Sequence, residues 1–131
     1  MAKASLVIAE DMNGIRCSLE DGFGMRGYDV HAFPDGKQAL NYLLAPTTPP
    51  QFLITDLGMP ILDGYGLLNG IANLYSIPTI IYSSDDPDLA KIAYSGKIIV
   101  CPKTKFGTVD LLESVVCQEL GLEKFVFPPC T

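Results

Sequence analysis

Several residues with the right chemistry for a common site sit just past apolar runs. Glu10 and Asp11 directly follow Leu6-Val7-Ile8-Ala9, and Asp56 directly follows Phe52-Leu53-Ile54-Thr55. Ser83 and Ser84 end a run from Thr79 to Tyr82, and Lys103 lies just beyond Ile98 to Val100 and the pair Cys101-Pro102. Carboxylates held close together repel, and each raises the others' pKa unless a cation intervenes. A hard cation with oxygen ligands resolves the conflict, and Mg²⁺ suits a few carboxylates plus waters. One aspartate of such a set can attack a phosphoryl group as a carboxylate nucleophile. A metal can neutralise and orient the phosphoryl oxygens, and a serine hydroxyl with a lysine ammonium can hold the product. Taken singly, each acid is better explained as a helix cap or loop residue. Their joint placement is what points to a site.

That placement depends on the elements between them. Ile15, Leu19 and Phe23 recur four apart and predict a helix after the first strand, weakened by Gly14, Gly22 and Gly24. Tyr28 to Phe33 reads as a second strand, Pro34-Asp35-Gly36 as a turn and helix start, and Lys37 to Ala45 as a short helix with Leu40, Leu43 and Leu44 on one side. Ala45 to Pro50 is a loop, because its prolines exclude helix and ladder alike. After Asp56 a helix is predicted from about Tyr65, with Leu67, Leu68, Ile71 and Leu74 facing inward. Asp86-Pro87 reads as an N-cap with proline at the first helical position, opening a short fourth helix through about Tyr94. Thr108 can cap a last helix carrying Leu112, Val115, Val116 and Leu120.

Five β-α units follow, with strands apolar on both faces, which implies a parallel sheet covered by helices on both sides. Ligands of such sheets bind at the carboxyl ends of the strands, where the acids, serines and lysine are expected. The 131 residues fit one domain, expected over 1–121 with a tail over 122–131. Hydrophobic residues make up 48% and charged residues 18%, an ordinary globular balance. The net charge of −6 argues against direct nucleic-acid binding. Cys17, Cys101, Cys117 and Cys130 form no C-x-x-C pair, so a zinc site is not expected. No long apolar run marks a signal peptide or membrane span, and a soluble, cytoplasmic protein is the expectation.

The segment Leu53-Ile-Thr-Asp-Leu-Gly-Met-Pro-Ile-Leu-Asp-Gly64 resembles the phosphoacceptor stretch of bacterial response regulator receiver domains. Glu10-Asp11 resembles that family's acidic pair. Gly27-Tyr-Asp-Val with Pro34-Asp-Gly36 and Ala39-Leu40 resembles its second strand and helix start, and Pro78-Thr-Ile-Ile-Tyr-Ser-Ser84 its fourth strand. The likeness runs from about residue 5 to residue 120. It implies a doubly wound, flavodoxin-like α/β fold with strand order 2-1-3-4-5, helices on both faces, and a signalling switch more than a turnover enzyme. Asp56 would accept a phosphoryl group from a histidine kinase or histidine phosphotransfer protein. Mg²⁺ or Mn²⁺ would be held by Asp11 and Asp56, with Glu10 assisting and the Gly58 carbonyl completing the protein ligands. Ser83 would be the switch residue and Ser84 the small residue beside it. An unidentified output protein and possible homodimerisation complete the implied partners.

The chain departs from that pattern near its fifth strand. The family places lysine immediately before the proline, whereas here the order is Cys101-Pro102-Lys103. If Pro102 keeps the register, Cys101 replaces the lysine. Residues 101 and 103 share a side of an extended chain, so a flexible lysine at 103 is the alternative supplier. Ile99 occupies the register of the usual aromatic switch residue. These departures motivate a second hypothesis, a degenerate receiver acting as a phosphorylation-independent scaffold. A small metal-dependent phosphatase is a third, disfavoured because Gly58 stands where such enzymes carry a second aspartate. Gly22-Phe-Gly-Met-Arg-Gly27 matches a dinucleotide fingerprint but precedes a strand instead of following one. Phe125-Val126-Phe127 is read as an apolar cover for the domain, with a docking segment for a partner as the alternative.

Overall fold

The computed structural model describes residues 3–45, 48–103 and 108–123. The Phe125-Val126-Phe127 segment and Cys130 lie outside the described residues. Strands β1 (Ser5–Ala9), β2 (Asp29–Phe33), β3 (Phe52–Thr55), β4 (Thr79–Ser83) and β5 (Ile98–Pro102) form one sheet. Every pairing is parallel, and the order is β2-β1-β3-β4-β5, the flavodoxin-like arrangement expected. The helices are α1 (Asn13–Met25), α2 (Gly36–Leu44), α3 (Gly64–Ile71) and α4 (Thr108–Leu120).

The two-residue period of the strands divides the core. Leu6, Ile8, Phe52, Ile54, Ile80, Tyr82 and Cys101 face α1 and α4, meeting Leu19, Phe23, Leu112 and Val116. Val7, Ala9, Leu53 and Ile81 face α2 and α3, meeting Ala39, Leu43, Leu67, Leu68 and Ile71. β3 and β4 are buried at every residue, which is why they read as unbroken apolar runs. Asp35 caps α2 by accepting from Gln38 N at 2.8 Å, and Asp63 caps α3 by accepting from Gly66 N at 2.8 Å. α4 stops at Gly121 (φ 68°), whose left-handed turn lets Leu122 N donate to Cys117 O at 2.9 Å.

Three expectations need correction. The fourth helix expected from Asp86-Pro87 to Tyr94 is a single 3₁₀ turn, Leu89–Lys91, capped by Asp88. Side chains from α3 and its start take over the backbone groups that a helix would pair. Asn69 donates to Lys91 O at 3.0 Å and accepts from Ala93 N at 2.8 Å, while the Tyr65 hydroxyl accepts from Asp88 N at 2.8 Å. α3 ends at Ile71, so Leu74 lies beyond it and is 58% exposed. Leu44 also faces solvent, in the last turn of α2.

The β3–α3 loop is held from two sides. Gly36 N donates to Leu62 O at 3.0 Å, and a Cβ on Gly36 would lie 2.3 Å from that oxygen. Gly64 N donates to Leu57 O at 2.8 Å, and a Cβ on Gly64 would lie 2.2 Å from Asp56 O. Only glycine permits either approach. Between these clamps Ile61 adopts φ 69°, a strained conformation for a β-branched residue, with its side chain displayed to solvent.

A second group of charged residues lies at the amino end of the strands, away from the acids. Glu113 on α4 is fully buried and sits 3.6 Å from both Lys3 Nζ and Arg26 Nε. Arg26 also pairs with Asp110 at 2.8 Å. The Tyr28 hydroxyl lies 3.3 Å from Glu113 and 3.2 Å from Cys117 Sγ. Burial, reinforced by Cys117 and Glu113, pushes the Tyr28 phenol well above its usual pKa. This network fastens α4 to the end of α1 and the start of β1.

Candidate functional site

Strand parity assembles the carboxyl-end site. On the face shared with α1 and α4, Ile8, Ile54, Tyr82 and Cys101 are the last residues directed into the core. Two residues further along each chain stand Glu10, Asp56, Ser84 and Lys103. The period therefore brings an acid from β1, an acid from β3 and a lysine from beyond β5 over the same end of the sheet. Asp56 is positioned by its own N–H, which donates to Ala9 O at 3.0 Å across the β1–β3 boundary.

Lys103 Nζ lies 2.7 Å from Asp56 Oδ2 and 2.7 Å from Glu10 Oε1. Asp56 Oδ1 accepts from Leu57 N at 2.7 Å. One carboxylate oxygen of each of Glu10, Asp11 and Asp56 lies within 4.8 Å of the other two. Glu10 is 2% exposed, so it underlies the site instead of lining its mouth. The open part is a cleft of about 220 Å³ lined by Asp11, Met12, Asp56, Gly58, Ser83, Ser84, Asp85 and Lys103. Space above Gly58 is empty, with no atom within 4 Å of where a Cβ would stand. Ser83 is nearly buried and its Oγ accepts from Asp85 N at 3.2 Å, whereas Ser84 is exposed.

The charges settle unequally. Burial raises the Glu10 pKa to about 7, with Asp56 adding to the rise and Lys103 opposing it. Burial opposes ionisation of Asp56 as well, but hydrogen bonds from Lys103, Glu10 and Leu57 N outweigh it and hold the carboxyl below its usual range. Burial alone would lower the Lys103 pKa, yet Asp56 and Glu10 raise it. Near neutral pH the arrangement is an ionised Asp56 against a cationic lysine, with Glu10 sharing a proton.

The residues fit a hard divalent cation. An octahedral Mg²⁺ site spaces its oxygens by about 3–4 Å, and one oxygen of each of the three carboxylates lies within 4.8 Å of the others. Neither Glu10 oxygen accepts a well-formed hydrogen bond, although Oε1 is ion-paired with Lys103. Glu10, Asp11 and Asp56 are the carboxylates close enough to share in holding such an ion, and Gly58 lines the same cleft.

Of the two registers considered for the lysine, Lys103 is the residue that reaches the acids. Cys101 points into the core beside Tyr82, 7% exposed, and burial pushes its thiol pKa up. That is the environment of an inert structural thiol. Ile99 packs partly buried against the same cluster. His31 lies far along the edge strand β2, stacked on Tyr42 with ring centroids 4.9 Å apart. Sequence reasoning passed over Met12 at the mouth of the cleft and Tyr82 beneath Lys103. Tyr82 was within its reach, since Tyr82 stands two residues before Ser84 on the face that carries the site.

The sequence matches the response regulator receiver domain family over residues 6–104. A probable transcriptional regulator, ycf27, of Galdieria sulphuraria is 35% identical over 82 residues, covering 63% of this chain and 31% of the relative. The chain thus spans about a third of the length of these curated relatives. The crystal structure of the receiver domain of the hybrid histidine kinase CckA superposes with a TM-score of 0.74 at 26% identity, covering 88% of this chain and 98% of that one. The receiver domain of a sensor histidine kinase from Pseudomonas aeruginosa PAO1, solved with magnesium in its active-site cleft, has the same fold. Its TM-score is 0.73 at 18% identity, over 92% of this chain and 99% of that domain. Fold, motif and family match agree that the chain is a member of the response regulator receiver domain family.

Proposed function

We propose that this receiver domain accepts a phosphoryl group on Asp56 from a histidine kinase or histidine phosphotransfer protein. The observation that carries the proposal is Lys103 Nζ at 2.7 Å from both Asp56 and Glu10, at the sheet end where Asp11 joins them. A receiver of two-component signalling acts as a phosphorylation-dependent switch, and these residues supply what such a switch needs. Asp56 is kept ionised, and an ionised carboxylate is the nucleophilic form. Leu57 N fixes Oδ1 and thereby orients the carboxylate toward the cleft. An Asp56 oxygen forms the new O–P bond as the P–N bond to the donor imidazole breaks; the bond pair returns to that nitrogen, and the ring, already protonated on its other nitrogen, leaves as neutral imidazole. Lys103 and the Ser83 and Ser84 hydroxyls then hold the phosphoryl oxygens. Mg²⁺ or Mn²⁺, held by Glu10, Asp11, Asp56 and the Gly58 carbonyl, would neutralise charge on the phosphoryl group.

The domain is read as a self-modifying switch over residues 1–121, with 122–131 as its tail. Its output partner is a protein, no nucleic acid is bound directly, and a second copy of the chain is a further partner. No described helix is long and apolar enough to cross a membrane, and a cytoplasmic setting is part of the proposal. Incubation with acetyl phosphate and Mg²⁺ followed by intact mass measurement tests it. One phosphoryl adduct is expected, absent for Asp56→Asn and absent without metal. No adduct on the wild-type chain, with Mg²⁺ still bound, would replace this reading by a phosphorylation-independent scaffold.

A further inference from the structure

Lys103 reaches its partners from an unfavourable starting point. It lies past the end of β5, and its backbone N–H donates to Ser83 O at 3.0 Å. Asp56 is on the far side of β4, and Glu10 one strand further. The lysine stem must therefore cross β4 to bring Nζ to both carboxylates. Such a stem loses rotamer freedom when it is held in one pose, so something must hold it down.

Tyr82 occupies the crossing point. It is paired in register with Cys101, lies between β3 and β5, and is 3% exposed. Lys103 Nζ stands over its ring, 5.7 Å from the centroid. That is within the range where an ammonium is attracted to an aromatic face. The ring in turn belongs to the packed cluster containing Leu112 and Val116 of α4, so it cannot swing away. We infer that Tyr82 is a positioning residue whose ring forms the platform that holds Lys103 against Asp56 and Glu10. The inference rests on the phosphoacceptor reading for its purpose, but the placement of the lysine is testable without it.

The test compares Tyr82→Leu, Tyr82→Phe, Lys103→Met and the double variant Tyr82→Leu/Lys103→Met. Each chain is acetylated with limiting acetic anhydride, and modification at every lysine is read by peptide mass mapping. Lys103 should react about fivefold faster in Tyr82→Leu, matching loss of one cation–ring contact. It should react at the wild-type rate in Tyr82→Phe, where the ring is kept, and the other lysines should not change. Equal Lys103 reactivity in the wild type and Tyr82→Leu would overturn the inference. So would a rise at all lysines alike, because Tyr82 would then serve only to hold the core together. Phosphorylation by acetyl phosphate supplies the second reading. Tyr82→Leu should slow it about fivefold, with no added effect in the Lys103→Met background. If the wild type forms no adduct, the phosphoacceptor reading falls, while lysine reactivity still decides the role of Tyr82.

Discussion

The two ends of the sheet hold buried charge in opposite states of balance. At the amino end, Lys3 and Arg26 face Asp110 and Glu113, two cations against two anions. At the carboxyl end, Lys103 is the ion-paired cation among Glu10, Asp11 and Asp56 in the described residues. Among the described residues, the first set has as many cations as anions. The second has three carboxylates in a partly closed site; Lys103 is paired with two of them, and Arg16 reaches the backbone oxygens of Glu10 and Asp11 instead of their carboxylates. A buried carboxylate matched by cations does structural work, whereas an excess of carboxylates is chemical potential for a ligand. The contrast separates residues that hold the domain together from residues that give it a reaction.

The largest effect should appear at the balanced end. Glu113→Ala removes the fully buried carboxylate beside Arg26, and should cost about 3 kcal/mol of stability. Chemical denaturation would show it, while acetyl phosphate labelling of the folded fraction stays normal. Loss of labelling in that folded fraction would break the comparison. Lys103→Met should do the reverse, slowing labelling about a hundredfold, the scale for removing one preorganised electrostatic partner. Cys101→Ala should leave the rate within about twofold of wild type. An equal fall in both variants would mean that the two registers share the role.

The unbalanced end should also impose a pH dependence. The Glu10 pKa is raised to about 7 in the folded chain from an ordinary value near 4.5. Between those values the folded state binds more protons than the unfolded state, so stability contributed by this group is full below pH 4.5 and lost as pH rises through 7. Metal-free thermal melts of the wild type against Glu10→Gln, taken from pH 5 to 8, should show a falling contribution that the variant lacks. Smallest are the helix caps. Asp35→Ala and Asp63→Ala should each cost about 1 kcal/mol, and a much larger loss at Asp63 would show that the cap also supports the site loop.

Much of this was legible in the residues. Runs such as Phe52 to Thr55 are apolar at every position because β3 is covered on both faces, and that alone implies the parallel sheet. The acids at run ends followed from the same reading. The segment after Ser83 was not legible. Asp86-Pro87 carries a sound helix-start signal, but Asn69 and Tyr65 capture the backbone groups of residues 88, 91 and 93 and hold a different shape. Those partners are 22 to 24 residues away, beyond any local pattern. Glu113 was hidden for another reason. A charged residue inside an apolar helical stripe reads as a surface neighbour unless Arg26 and Lys3 are known to meet it.

The two glycine clamps on the β3–α3 loop bear on how the domain comes apart. Gly36 belongs to α2 and Gly64 to α3, yet both fasten the loop that follows Asp56. The loop can take its shape only when α2 is docked, since the Gly36 N–H is one of its anchors. Transient detachment of α2 therefore dissolves the site without touching a single acid. In native-state hydrogen exchange the Gly36 and Gly64 amides should open as one cooperative unit. The lifetime of that unit, set by packing on the α2 face of the sheet, caps the time for which the site stays assembled.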